Sequence, residues 1–218
     1  MHPDWLVPIA KLLREDHKRI LNMEVGLLNG TSWQQTKLGA VGTKAGFNWR
    51  LDHFWEPEFS KAQITAITEG ADEAPDPDQS PITMGMFATS KTWWQLIGGM
   101  DLGLNTWGGE NIEISLRTWL CGGEIRVARG SKIDHVFRAK FPYKVSGREY
   151  RRNLVRIAEA WMDDYGRQKF YKASGFRAAS VKFGSIAEQR ATQQRLQCKP
   201  FSWYLNKFKN RSPVDKAP

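Results

Sequence analysis

The sequence predicts an α/β fold with an incomplete sheet and flanking helices, and three observations point there. Segments with helical apolar spacing alternate with short β-type runs. Too few of those runs can pair in parallel to build a doubly wound sheet. No glycine-rich phosphate turn opens a helix.

Residues 5–20 read as an amphipathic helix, with Trp5, Ile9, Leu12 and Leu13 on one face and Asp4 as its N-cap. A strand follows over Met23–Leu28 and stops at Asn29-Gly30. Residues 46–55, GFNWRLDHFW, are densely aromatic. Five acidic residues and two prolines lie between Glu69 and Asp78, so a solvated acidic loop is expected over about 56–80. Residues 91–97 are expected to be helical, stopped by Gly98-Gly99. A second helix is expected over 110–120, with Ile112, Leu116, Trp119 and Leu120 on one face and Gly122-Gly123 after it. Glu124–Ala128 and Lys132–Phe137 read as two short strands. The clearest helix is 153–165, where Leu154, Ile157, Ala158 and Trp161 recur at i, i+3, i+4 and i+7. Another helical segment falls near 184–195.

At 218 residues, 41% hydrophobic and 25% charged, the chain can bury one globular core. Its ten tryptophans are unusual, and core packing accounts for most of them more simply than ligand binding. The formal charge of +9 favours anionic partners such as a nucleotide diphosphate. The basic residues are scattered rather than clustered, which argues against nucleic acid. No apolar stretch approaches the roughly 18 residues of a membrane span, and no signal peptide precedes the first helix. Both absences predict either a cytosolic protein or a chain that begins inside a larger one.

Three stretches carry chemistry. Trp107-Gly108-Gly109-Glu110-Asn111 precedes a helix: the glycines let backbone approach a ligand, Glu110 and Asn111 can bond to hydroxyls, and Trp107 offers a flat apolar face to a sugar. The plainer reading is a loop with a helix N-cap. His135-Val136-Phe137-Arg138 ends a strand, pairing an imidazole that can ligate a metal with a guanidinium that can clamp a phosphate. One His cannot hold a metal unaided. Leu196 to Tyr204, LQCKPFSWY, places aromatic residues around Cys198. The two cysteines, Cys121 and Cys198, decide neither compartment nor pairing by themselves.

In order and spacing these stretches resemble the polypeptide N-acetylgalactosaminyltransferases. The likeness runs through Trp5-Leu6-Val7-Pro8, Gly46-Phe47-Asn48-Trp49, Gly85-Met86-Phe87, WGGENIEIS at 107–115, Cys121-Gly122-Gly123, HVFR at 135–138, Ala160-Trp161-Met162-Asp163 and LQCKPFSWY at 196–204. It implies a GT-A fold, of which residues 1–204 would be the C-terminal half of the catalytic domain, with 205–218 as a basic tail. It also implies retaining transfer of N-acetylgalactosamine from UDP-GalNAc to Ser or Thr of a polypeptide. Mn²⁺ would be the cofactor, because a divalent cation neutralises charge growing on the diphosphate leaving group.

The site residues follow from the same resemblance. His135 matches a metal ligand, and Arg138 and Tyr143 match donor contacts. Trp107 matches a mobile-loop residue that closes over the donor. Glu110 and Asn111 match the sugar site, and Gly85 matches a backbone approach to the sugar. Met84 stands where the family has a further glycine, which implies a tighter fit. Phe141 replaces a donor-contacting His, and Asn105 replaces an Asp. Phe47, Trp49 and Phe137 match an apolar pocket for the acceptor peptide. Cys121 and Cys198 match two cysteines that pair.

The family's Asp-x-His metal motif is not found: no Asp stands two residues before a His. Asp76-Pro77-Asp78 has the form of another metal motif but sits in the acidic loop. A polypeptide of these residues alone is therefore expected to be inactive, with any membrane attachment through an N-terminal anchor not included and with a parent on the lumenal side of the Golgi membrane. Asn29-Gly30-Thr31, a glycosylation sequon, agrees with that lumenal placement. Two other readings stand beside this one: a GT-A transferase of the galactosyltransferase type, and a non-catalytic remnant that binds peptide.

Overall fold

The computed structural model describes residues 3–56, 65, 69, 76–137, 140, 142–209 and 211–215. Arg138, Phe141 and most of the acidic loop lie outside the described residues. The elements run α1 (Leu6–Glu15), β1 (Arg19–Leu28), β2 (Gln35–Gly42), β3 (Ala45–Phe47), β4 (His53–Trp55), β5 (Phe87–Thr89), α2 (Lys91–Leu96), α3 (Glu110–Leu120), β6 (Glu124–His135), α4 (Gly147–Trp161), α5 (Asp164–Ser174), α6 (Ala187–Arg195) and α7 (Phe201–Lys207).

β1 is the spine of a four-stranded sheet. One edge pairs in parallel with β6, from Arg19↔Glu124 to Leu27↔His135. The other edge pairs antiparallel with β5 near its start and with β2 near its end. A second, two-stranded sheet joins β3 to β4. The expected α/β class with an incomplete sheet therefore holds, with one parallel pair among the described strands.

Several boundaries differ from the sequence reading, each for a local reason. α1 ends at Glu15, because Asp16 turns to extended backbone and its carboxylate accepts the Lys18 N–H at 2.8 Å. That frees Arg19 to Asn22 to begin β1. Asp4 is not the cap of α1: Trp5 holds that position and no side chain caps the helix. The two strands expected over Glu124–Ala128 and Lys132–Phe137 are one strand. Between Asn22↔Val127 and Glu24↔Lys132 the register slips, and Gly130 takes a φ of +84° in the bulge. The helix expected over 153–165 begins earlier, at Gly147, where the Ser146 side chain caps it. It breaks at Met162, and the Asp163 carboxylate caps α5. The 46–55 run is a β3–β4 hairpin, and LQCKPFSWY ends in α7.

The core lies between the β1–β6 sheet and α3. Every residue from Ile112 to Leu120 is buried, so α3 is enclosed on all sides rather than on one face. The buried Glu113 and Arg117 face each other at 2.6 Å, the Trp161 indole N–H donates to Glu113 at 2.9 Å, and Arg117 donates to the Ile97 carbonyl at 2.7 Å. Burial pushes the Glu113 carboxyl up, and Arg117 opposes that shift. Trp49, Trp93, Trp119 and Trp161 are core residues, and Trp5, Trp55, Trp94 and Trp203 pack against them, so core packing does account for most of the tryptophans. Cys121, at the end of α3, is bonded to Cys198 just beyond α6.

The segment after Tyr204, expected as a basic tail, is tied into this core. Arg211 makes a two-pronged contact with Glu56 at 2.5 and 2.8 Å. The Ser212 hydroxyl accepts the Phe47 N–H at 3.1 Å, and the Val214 carbonyl accepts the Trp49 N–H at 3.0 Å.

Candidate functional site

The site is built where residues 101–109 cross one face of α4. Glu149, Arg152, Asn153 and Arg156 fall at i, i+3, i+4 and i+7, so their side chains form one row. Each member holds a different point of the loop. Glu149 accepts the Thr106 hydroxyl at 3.0 Å. Arg152 donates to the Gly103 carbonyl at 2.6 Å. Arg156 grips both oxygens of Asp101 at 2.8 Å. Asn153, fully buried, makes the densest set: its oxygen accepts the Asn105 N–H at 2.9 Å. Its amide donates to the carbonyls of Asn105 (2.8 Å), Trp107 (3.3 Å) and Gly108 (3.0 Å).

Burial alone would push the Asp101 carboxyl up. The Arg156 guanidinium and the Gly103 N–H reverse that and hold it below the ordinary carboxylate value.

The glycine pair lets the loop pack onto α4. Gly108 and Gly109 have φ of +99° and +91°, and a Cβ on either would lie 2.5 Å from the Tyr150 ring or 2.6 Å from Ile157. The close approach seen here is of loop backbone to α4. Trp107 then stacks on Tyr150, with ring centroids 5.8 Å apart, and keeps 40% of its surface exposed. Glu110 starts α3 and its carboxylate accepts the Gly108 N–H at 3.0 Å. Asn111, half-buried, follows it, and its carbonyl accepts the Ser115 hydroxyl.

Tyr150 itself is half-buried on α4. Burial pushes its phenol up, and the carboxylates of Asp52 and Glu110 add to the rise. Within the acceptor set, the members are placed differently. Phe47 is fully buried and stacked on Tyr204 at 5.9 Å, so its ring supports the hairpin and is not presented at a surface. Trp49 is 8% exposed, edge-on to Tyr165 and Phe201, with the Lys169 ammonium over its ring. Phe137 is exposed and touches His135, with centroids 4.3 Å apart.

His135 ends β6 and is half-buried; its Nδ1 is buried and has no hydrogen-bond partner. An unpartnered ring nitrogen fits a metal ligand. Among the described residues no group of three or more His, Cys, Asp or Glu could hold an ion. Asp76 and Asp78 are engaged by Arg126 and Arg129 at 2.8 Å each. Tyr143 is exposed. Gly85 is exposed, and a Cβ there would meet nothing within 4 Å, so open space lies over its backbone. Met84 points into the core at 2% exposure, so its side chain does not tighten that space.

The sequence reading missed Asp101, Tyr150, Asn153 and Arg156. For Asn153 and Arg156 the signal was present as the polar row of α4, beside the apolar stripe that was read. A polar helix face is ordinarily solvated, and here the covering loop, with residues 183–189 over Arg156, makes it internal.

Comparison with known proteins bears on the whole chain. Residues 74–141 match a family model described as the N-terminal domain of galactosyltransferase. Polypeptide N-acetylgalactosaminyltransferase 4 of Caenorhabditis elegans is 36% identical over 205 residues, 92% of this chain and 34% of that protein. Polypeptide N-acetylgalactosaminyltransferase 14 of Homo sapiens is 35% identical over 209 residues, 93% of this chain and 36% of that protein. The chain spans about a third of the length of these relatives. The crystal structure of GalNAc-T7 with UDP, GalNAc and Mn²⁺ superimposes with a TM-score of 0.75 at 23% identity, covering 93% of this chain and 37% of that one. The resemblance read from the motifs therefore holds over nearly the whole chain, and the fold is part of a GT-A fold.

Proposed function

We propose, from the similarity of this chain to the polypeptide N-acetylgalactosaminyltransferases, that it forms the sugar- and acceptor-facing part of an enzyme that moves N-acetylgalactosamine from UDP-GalNAc to Ser or Thr of a polypeptide. The observation that carries the reading is the 101–109 loop. It is held along α4 so that the Trp107 ring and the Glu110 carboxylate come from one turn.

In this reading Trp107 covers the donor sugar and keeps water out. Glu110 and Asn111 bond to its hydroxyls, and the open backbone at Gly85 lets the ring approach. Tyr143 and Arg138 meet the diphosphate, Arg138 by charge. Phe137 and Trp49 offer apolar surface to the acceptor. His135 would hold a divalent cation, with Mn²⁺ the ion named in the related crystal structure. Such a cation would neutralise the leaving diphosphate. The disulfide fits an oxidising compartment such as the Golgi lumen. Among the described residues no helix is long and apolar enough to cross a membrane.

One test grafts these 218 residues in place of the matching third of a relative and measures transfer to a Ser/Thr peptide. Transfer from UDP-GalNAc is expected, falling by about 100-fold in Glu110→Gln. A folded graft without transfer would sink the proposal. The galactosyltransferase family match favours a second reading, a galactosyl donor. Preference of the same graft for UDP-galactose over UDP-GalNAc would select it. A single imidazole does not hold a metal. The polypeptide of these residues alone is thus expected to show no micromolar binding of Mn²⁺ and UDP by calorimetry, and such binding would overturn its inactivity.

A further inference from the structure

A cavity of about 1240 Å³ opens at the N-terminal end of α4, beside the loop, and shares Asn105, Glu149 and Arg152 with the clamp on it. Its lining is strongly cationic: Lys144, Arg148, Arg151, Arg152 and Lys182 against one carboxylate, Glu149. Two of the five are engaged within the protein. Arg152 holds the Gly103 carbonyl, and the Arg151 guanidinium lies 4.7 Å over the Phe176 ring. Glu149 is engaged too, by Thr106. Lys144, Arg148 and Lys182 are exposed and have no ion-pair or hydrogen-bond partner among the described residues.

Cations gathered in one concavity repel one another, and the field they focus attracts an anion. The positive end of the 15-residue α4 adds to that field. The lining also says what the anion is not. It contains no aromatic ring, and its one aliphatic side chain is Val181, so a nucleobase has nothing to stack on. The volume exceeds the roughly 300–1,000 Å³ of ordinary small-molecule sites. Long, mobile ammonium and guanidinium heads suit a row of carboxylates along an extended chain. Asn105 forms part of the wall and stands two residues from Trp107, so a segment lying here continues toward the proposed transfer site.

We infer that this cavity is a subsite for an acidic segment of the acceptor polypeptide, which gives the chain a preference for Ser/Thr peptides flanked by Asp or Glu. The inference rests on the acceptor reading above.

The test is fluorescence anisotropy with the whole 218-residue chain and two labelled Ser/Thr peptides, identical except that several Glu in one are Gln in the other. The acidic peptide is expected to bind about tenfold tighter at low salt, with the advantage shrinking as salt rises. Arg148→Glu combined with Lys182→Glu should remove that advantage and leave the affinity of the Gln peptide unchanged. The exposed positions predict an unaltered melting temperature. If the double variant melts early, Lys182→Gln alone should still reduce the preference. Equal binding of both peptides to the wild type would overturn this inference and leave the acceptor reading standing, whereas failure of both to bind would overturn the two together. A preference that survives in the variants, or an oligonucleotide or inorganic phosphate that displaces the acidic peptide as well as unlabelled peptide does, would also overturn it.

Discussion

Asn153 shows how much of the site one side chain can carry. Its amide meets four backbone groups of residues 105–108 while having no exposure to water. Removing it leaves the buried Gly108 carbonyl and the part-buried groups of Asn105 and Trp107 without this partner, and a buried loss of that kind costs about 1–3 kcal/mol. Asn153→Ala is expected to destabilise the chain by a few such units at most, about 2–4 kcal/mol in urea titration. It should speed amide exchange at 105–108 well before the sheet exchanges. Unchanged exchange there would show that the clamp is not what orders the loop. Asp101 adds a pH dependence whose sign follows from its partners. Its native pKa lies below the unfolded one, so its contribution is present above the unfolded value of about 3.9. That contribution is lost as pH falls through the native value. Thermal stability should therefore drop below about pH 4, and Asp101→Asn should flatten that limb. An identical acid limb in the variant would assign it to other carboxylates. Glu113 acts in the opposite sense, since burial raises its pKa and protonation costs the native state less.

At the scale of elements, α3 and α4 behave as a pair of supports. α3 is enclosed, carries Glu110 at its first turn, and is anchored at its other end by Cys121. The bond to Cys198, 77 residues on, fixes α6 against that end. On the chain-entropy account a loop of this length contributes about 4 kcal/mol. Cys121→Ser with Cys198→Ser, or reduction of the native chain, is expected to lower the urea midpoint accordingly. No difference between oxidised and reduced chains would remove the bond from the stability account. α4 presents two stripes. The apolar one, Leu154, Ile157, Ala158 and Trp161, was legible from period alone. The polar one was not, because Glu149, Arg152, Asn153 and Arg156 are what an exposed face also looks like. The β3–β4 hairpin was illegible for a related reason: strands of three residues carry too little alternation to register.

Across the whole molecule, distant segments close the structure. Residues 211–214 return to the β3–β4 hairpin, and Arg211 meets a Glu56 side chain that is 6% exposed. Truncating one member of such a pair strands the other, at a typical cost of about 3–5 kcal/mol. Arg211→Ala is expected to lower thermal stability by that order and to loosen residues 45–55, read as exchange or as new proteolysis there. Cleavage elsewhere, with 45–55 still protected, would contradict the role given to this contact. The relatives and the fold match agree on how much of longer proteins this chain corresponds to, about a third of their length. The acceptor and donor segments are 60 positions apart in sequence, counted from Phe47 to Trp107. The later of the two is tied to α4, which follows both in the chain, by the stack of Trp107 on Tyr150.

By itself the sequence determined the α/β class, the apolar faces of α3 and α4, the family likeness and the residues that this likeness marks. Those depend on local period and on the order of short motifs, both of which are written along the chain. The tertiary structure decided which polar residues are internal, why Gly108 and Gly109 must be glycines, that Phe47 is a core ring, and that five cations share one cavity. Burial, close approach and summed charge are properties of residues brought together from distant positions. No window on one strand or helix contains them.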